Sequence, residues 1–207
     1  MIPSQKVIVI AGPTGSGKSA IIRFINTHYY PAIDLEATAN HRGSVFGDLH
    51  ETTTQPTQQI FEDELQSVWD KQRHAPAVFI EQEAPYIGKC KIPEWLWRKI
   101  EAAVRIQIHI PRQERVQHIL AMYKNIPVPR LVQALYKLKD RLTEREIHSL
   151  ENMLTAGQYE DFVDSILNYY DNTTHYTPGY AHHLYFDHAR FDEIAQTIVQ
   201  YVQRAIL

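Results

Sequence analysis

Lys6-Val7-Ile8-Val9-Ile10-Ala11 runs directly into Gly12-Pro13-Thr14-Gly15-Ser16-Gly17-Lys18-Ser19. After its leading lysine the first stretch is apolar and rich in β-branched residues, which reads as a buried strand. Ala20 to Asn26 (AIIRFIN) then repeats apolar residues at helical spacing. A glycine-rich turn between a buried strand and a helix is the setting a phosphate-binding loop requires. Glycines let the backbone curl so that successive N–H groups point inward, and the N-terminus of the following helix adds free donors and a favourable dipole. In that arrangement Lys18 supplies a mobile positive charge for the terminal phosphate and Ser19 a hydroxyl for Mg²⁺. The motif defines a di- or triphosphate site, with ATP or GTP as the usual ligands, and leaves the ligand's identity open.

The rest of the chain alternates strand and helix patterns outward from this loop. Tyr30 to Glu36 reads as a second strand, with Asp34 and Glu36 on one face near its C-terminal end, where open α/β sheets bind ligands. Either carboxylate can hold Mg²⁺ or act as a base. The segment Ala37–Asp48 gathers His41, Arg42 and Ser44 around Gly43 and Gly47. Arg42 can fork onto a phosphate, and His41 can move a proton near neutral pH. A polar loop over Glu51–Gln59 precedes a helix from Gln58 to Arg73.

Ala77 to Ile80 is the third strand, followed by Glu81 and Glu83, two candidates for the carboxylate that holds the metal opposite a phosphate loop. Ile87–Pro93 reads as loop, and the helix after it carries Trp95 and Trp97, read as core residues. Val104 to Ile110 alternates strictly and reads as a fourth strand. A helix over Arg112–Tyr123 brings Arg112 and Arg115 onto one face, where they could close over phosphates. Val128 to Tyr170 is helical throughout and interrupts the alternation, so a helical lid or insertion is expected over about 112–170. His182–Asp187 and Phe191–Ile206 give a fifth strand and a closing helix. The expected architecture is a single α/β domain over residues 1–207, a phosphate-loop NTPase-like three-layer sandwich. Its sheet is mostly parallel and five-stranded, with a helical insertion.

Apolar content of 44% and charged content of 22% are those of an ordinary soluble globular protein. One cysteine, Cys90, excludes an intrachain disulfide and a cysteine metal cluster. Met1 leads almost at once into the first strand, leaving no room for a signal peptide, and no apolar run approaches membrane-spanning length. The expectation is a cytoplasmic protein without a membrane partner. Net charge is −3, yet residues 89–145 hold 13 Lys and Arg against 5 Asp and Glu. A basic zone on an otherwise acidic chain is a footprint for a polyanion such as a nucleic acid, or else a set of solvated helix faces.

Residues beyond the loop carry a resemblance. Asp34-Leu35-Glu36, Ala39-Asn40-His41-Arg42-Gly43-Ser44 and Phe46-Gly47 resemble the signature of the phosphate-loop domain of tRNA 2-selenouridine synthases. Gln55-Pro56 with Gln58, Phe61-Glu62, Ile80-Glu81 with Glu83, Ile87-Gly88, Ile92-Pro93 and Tyr169-Tyr170-Asp171 extend the likeness over nearly the whole chain. The resemblance implies a tRNA-modifying transferase that prenylates 2-thiouridine at the wobble position with geranyl diphosphate, then exchanges the geranylthio group for selenium. It implies tRNA as partner and, because no rhodanese-like domain precedes the loop here, a separate rhodanese-domain protein for the selenium step. Gln82 and Ala84-Pro85 stand where the family tends to have an acidic residue and Ser-Arg.

The loop wording is also similar to that of tRNA isopentenyltransferases, in which it holds a prenyl diphosphate. On that likeness Lys18, Arg42 and Arg112 would stabilise the departing diphosphate, and Asp34 would orient the attacking sulfur. Two other readings of the residues stand beside it: an ATP-dependent small-molecule or nucleoside kinase, and a non-catalytic nucleotide-binding module docked on a rhodanese protein.

Overall fold

A computed structural model describes residues 5–49, 54–173 and 181–207. Strands β1 (Lys6–Ala11), β2 (Ala32–Ile33), β3 (Ala77–Glu81), β6 (Val104–His109) and β7 (Ala181–Tyr185) form one five-stranded sheet in the order β2-β3-β1-β6-β7. Every pairing in it is parallel, so "mostly parallel" becomes wholly parallel. β1 lies in the middle, and its Ile8, Val9, Ile10 and Ala11 are completely buried.

Helices α1 (Lys18–His28) and α9 (Phe191–Ala205) cover one face of the sheet, meeting Ile8, Ile10, Ile106 and Ile108. Helices α3 (Gln58–Lys71) and α4 (Glu94–Glu101) cover the other face over β2, β3 and β1, around Val9, Val78 and Ile80. Four further helices, α5 (Arg112–Tyr123), α6 (Val128–Leu135), α7 (Glu144–Thr155) and α8 (Tyr159–Thr173), pack on one another. Their apolar side chains form a separate cluster that draws in Phe46 and Leu49 and contains no strand residue. Thr143 and Glu146 form a capping box at the start of α7.

Two sequence expectations fail locally. The strand read over Tyr30–Glu36 shrinks to Ala32–Ile33, because Asp34 turns the chain into a short helix, α2 (Leu35–Ala39). Its carboxylate accepts the Ala37 N–H at 2.8 Å, an N-cap that ends the extended backbone. Asp34 and Glu36 therefore do not share a strand face. The stretch read as loop after β3 contains a small antiparallel hairpin, β4 (Tyr86–Ile87) with β5 (Cys90–Lys91). Gln55 pins it by donating to the Ile87 carbonyl at 2.9 Å and accepting the Lys89 N–H at 3.0 Å. The polar stretches expected as loops over 51–59 and 172–180 lie partly outside the described residues.

Candidate functional site

The loop from Gly12 to Gly17 is shaped by what presses on it. Gly15 and Gly17 have φ of 79° and 75°, the left-handed region that favours glycine. A Cβ on Gly17 would lie 2.2 Å from the Phe191 ring, and one on Gly12 would lie 2.7 Å from Ile108. The loop is thus wedged among β6, α5 and α9 with no room for side chains. Ser16 is completely buried, and its Oγ has no hydrogen-bond partner. Lys18 Nζ reaches back to the Gly12 carbonyl at 3.1 Å.

Carboxylates gather opposite Lys18. Ser19 Oγ donates to Glu36 Oε2 at 2.7 Å, and the Glu36 N–H donates to Glu81 Oε1 at 3.0 Å. Glu81 is fully buried with its second oxygen unpartnered. Gly43 lies against the group: a Cβ there would sit 2.8 Å from Glu83 Oε2 and 3.0 Å from Glu36 Oε1. Glu36 and Glu83 face a cleft, and Glu81 stands behind them.

Burial raises Glu36, and burial together with the neighbouring carboxylates Glu36 and Glu83 drives Glu81 well above the usual range. Removal from water likewise pushes Glu83 up to about 7, with Lys18 opposing the rise. The donor set fits Mg²⁺. It offers a hydroxyl and carboxylate oxygens, one of them orphaned, beside a phosphate cradle, and Mg²⁺ binds through one or two carboxylates while keeping phosphate and water as ligands. Among the described residues no three His, Cys, Asp or Glu side chains form a metal cage of their own.

These shifts set a pH dependence. Glu83 titrates near 4.5 in the unfolded chain and near 7 in the folded one. Between those values the folded protein holds a proton that the unfolded chain has lost, so stability falls as pH rises through the window and stays low above it. In chelator, raising the pH from 5 to 8 is expected to cost about 2 kcal/mol at this site, solvent at the half-buried carboxylate screening part of the full shift. Urea unfolding of the wild type and of Glu83→Gln at both pH values isolates that share, which the variant lacks.

The cleft has a volume of about 1300 Å³. Loop residues Thr14–Ser19 form one end. The adjoining wall is built from Phe46, Ile119, Met122, Tyr123, Ile166 and Tyr170, drawn from α5, α8 and the chain after α2. Phe46 meets Tyr123 and Phe162 edge to face, with centroids 6.2 and 6.1 Å apart. Burial pushes the Tyr123 hydroxyl up to about 12, so it remains protonated. His118, also on the cleft, is held below the usual range by burial and by Arg42 and Arg23.

The expected site residues divide. Lys18, Ser19, Glu36, Glu83 and Arg42 line the cleft, and an Arg42 Nη1 lies 3.3 Å from Met122 Sδ. His41 instead tucks against Gly47 and accepts the Gly43 N–H at 3.2 Å, holding the turn. Asp34 gives one oxygen to the α2 cap and the other to Arg23 at 2.8 Å.

Arg112 and Arg115 do share a helix face, but they do not close over the phosphate end. Arg112 pairs with Asp164. Arg115 grips both oxygens of Asp171 at 3.0 and 2.8 Å and donates to the Thr14 carbonyl at 3.0 Å. The carboxylates of α8 claim both side chains, so the pair ties the α5–α8 helices to the back of the loop. Sequence reasoning missed the aromatic wall, Gln82 and Arg105 as cleft residues; Trp97, read as core, packs against the core under α3 and α4 and also lines the cleft. A signal for Arg105 was present: it is a charged residue in a central strand.

A parallel sheet flanked by helices, with a glycine loop leading from its central strand into α1 and carboxylates facing Lys18 and Ser19, defines a P-loop NTPase-like α/β protein. A family model for the tRNA 2-selenouridine synthase AAA domain matches residues 5–132, and the chain belongs to that family. It is 33% identical over 150 residues to the tRNA 2-selenouridine synthase of Nitrosomonas europaea, an alignment covering 69% of this chain and 38% of that protein. It is 28% identical over 209 residues to the enzyme of Hahella chejuensis, covering 86% of this chain and 52% of the other. The chain thus spans roughly a third to a half of the length of these curated relatives. Among solved structures, the full-length tRNA isopentenylpyrophosphate transferase of Bacillus halodurans superposes with a TM-score of 0.50 at 14% identity, covering 97% of this chain and 96% of that one. No helix of the described residues is long and apolar enough to cross a membrane.

Proposed function

We propose that this chain is a single-domain tRNA-modifying transferase module. It would bind geranyl diphosphate or a related prenyl diphosphate at the loop and transfer the prenyl group to 2-thiouridine at the tRNA wobble position. The observation that carries this reading is the pairing of a phosphate cradle with an apolar, aromatic wall in one cleft. A prenyl diphosphate has those two halves, whereas the acceptor of a small-molecule kinase is polar. Family membership and the likeness to tRNA 2-selenouridine synthases support tRNA as the substrate class.

In this reading the thiouridine sulfur attacks C1 of the prenyl group. The C1–O bond breaks with its electron pair going to the diphosphate, and the base releases its N3 proton. The loop N–H groups, Lys18 and Arg42 meet the charge as it develops on the leaving group. Ser19, Glu36 and Glu83 would hold Mg²⁺, which when bound neutralises diphosphate charge. Asp34 positions α2 and thereby Glu36. The α5–α8 helices act as the lid that screens the prenyl chain from water. Selenium exchange would need a nucleophilic cysteine from outside these residues, because Cys90 is buried and burial raises its thiol.

The test is incubation with 2-thiouridine tRNA, geranyl diphosphate and Mg²⁺, followed by mass spectrometry of the nucleosides. S-geranyl-2-thiouridine is the expected product. ATP-dependent phosphorylation in a metabolite screen, with no prenylated nucleoside and no tRNA binding at low salt, would replace this reading with the kinase one.

A further inference from the structure

A parallel strand buried on both faces reads as a continuous apolar run. β6 is flanked by β1 and β7, yet it alternates. Ile106 and Ile108 are completely buried under α1 and α9, while Arg105, Gln107 and His109 point to the opposite face and stay half-buried. In parallel register Gln107 pairs with His183 and His109 with Tyr185, which puts the β7 residues on that same face. α3 and α4 cover this face only as far as β1. The crossover helices between β6 and β7 would ordinarily cover the remainder, but α5–α8 are gathered into their own cluster. Among the described residues, this part of the sheet is left without a helical layer.

What stands on it is a group of three flat rings. His109 stacks on Tyr185 with centroids 4.3 Å apart and an interplanar angle of 11°. Its Nε2 lies 2.9 Å from His183 Nδ1 with the centroids 5.2 Å apart, so His183 joins His109 edge to edge through a hydrogen bond. Tyr185, on the edge strand, is 74% exposed. The His109–Tyr185 stack lies at the C-terminal ends of its strands, the edge at which the phosphate loop also sits. Arg105, on the same face, lines the loop's cleft beside Trp97 and Glu101, and its Nε is buried without a partner.

We propose that this bare β6–β7 face is an RNA-stacking platform, on which an unpaired base of the substrate stacks with the His109–Tyr185 pair, steadied by His183, while Arg105 draws the strand toward the cleft. The inference deepens the tRNA reading above and rests on it. Exposed rings accept any base through its π-face, and single-stranded loops are where unstacked bases are available. Continuity with the cleft gives the partner a direction, because a base held here belongs to the strand whose neighbour enters the site.

The experiment measures binding of a 2-thiouridine anticodon stem-loop RNA by fluorescence anisotropy over a salt series, with geranyl diphosphate binding measured in parallel. Tyr185→Ala and His183→Ala are expected to weaken RNA binding about tenfold each. Tyr185→Phe should retain it, and the salt slope should not change, since no phosphate contact is removed. Geranyl diphosphate binding should be unaltered in every variant. RNA affinity within twofold of wild type in both alanine variants overturns the platform and leaves the tRNA reading intact. The same result with wild-type dimers and monomeric variants would assign the face to a second copy of the chain. If wild type binds no RNA at low salt, the tRNA reading itself fails and the platform with it.

Discussion

Lys18→Ala is expected to lower kcat/KM for prenyl transfer by at least about 100-fold, the scale of losing one preorganised group aimed at developing charge. The fold should survive, because Lys18 lies at the first turn of α1 while the buried contacts of that helix are Ile21, Ile22 and Ile25. The loss should appear mainly in kcat: the leaving diphosphate carries more charge in the transition state than in the bound donor, so Lys18 helps most there. The variant also has a signature in its own titration. Lys18 opposes the rise of Glu36 and Glu83, so its removal lets both carboxylates move further up. Steady-state kinetics and the pH profile of unfolding in chelator check the two parts separately. A Lys18→Ala protein with wild-type turnover would remove the loop from the chemistry.

The second large effect concerns stability. Arg115 is 6% exposed, holds both oxygens of Asp171 and caps the Thr14 carbonyl. Arg115→Ala removes the side-chain donor to the loop carbonyl and leaves Asp171 only the longer contact from Arg112 Nη1 at 3.4 Å. Breaking a pair of this kind costs about 3 kcal/mol, a large share of the roughly 5–15 kcal/mol that holds a domain folded. Arg115→Lys should recover little, since an ammonium cannot reproduce the two-pronged contact. Arg112→Ala, one helical turn away, removes solvent-accessible ion pairs to Asp164 and, at 3.4 Å, to Asp171, and should cost about 1 kcal/mol or less. Urea unfolding of the three variants checks the ranking. Equal losses for Arg112→Ala and Arg115→Ala would show that burial is not what gives Arg115 its weight.

Much of this was legible before any coordinates. The glycine loop, the four longer strands and the long helices follow from local pattern, and so does the sheet's parallel character. What was misread has physical causes. Asp34 follows an apolar run and precedes Leu35-Glu36, which continues a strand by alternation; only the cap onto the Ala37 N–H reveals a helix. β4 and β5 are two residues each, too short to show a period. Arg112 and Arg115 do sit together, but their carboxylate partners lie on α8, some fifty residues further along, and no local pattern reports a contact at that distance. The aromatic wall assembles from separate segments for the same reason. The bare face of β6 was written in the strict alternation of Val104–Ile110, which served as a strand signal but also states that one side of a central strand meets no core.

Phe191 beneath Gly17 joins the first loop of the chain to the first residue of its last helix. During synthesis Gly12–Ser19 leaves the ribosome well before the ring it rests on. α1 likewise lacks its neighbour α9 until then. A nascent chain therefore carries the complete motif before the ring that presses on Gly17 has been made.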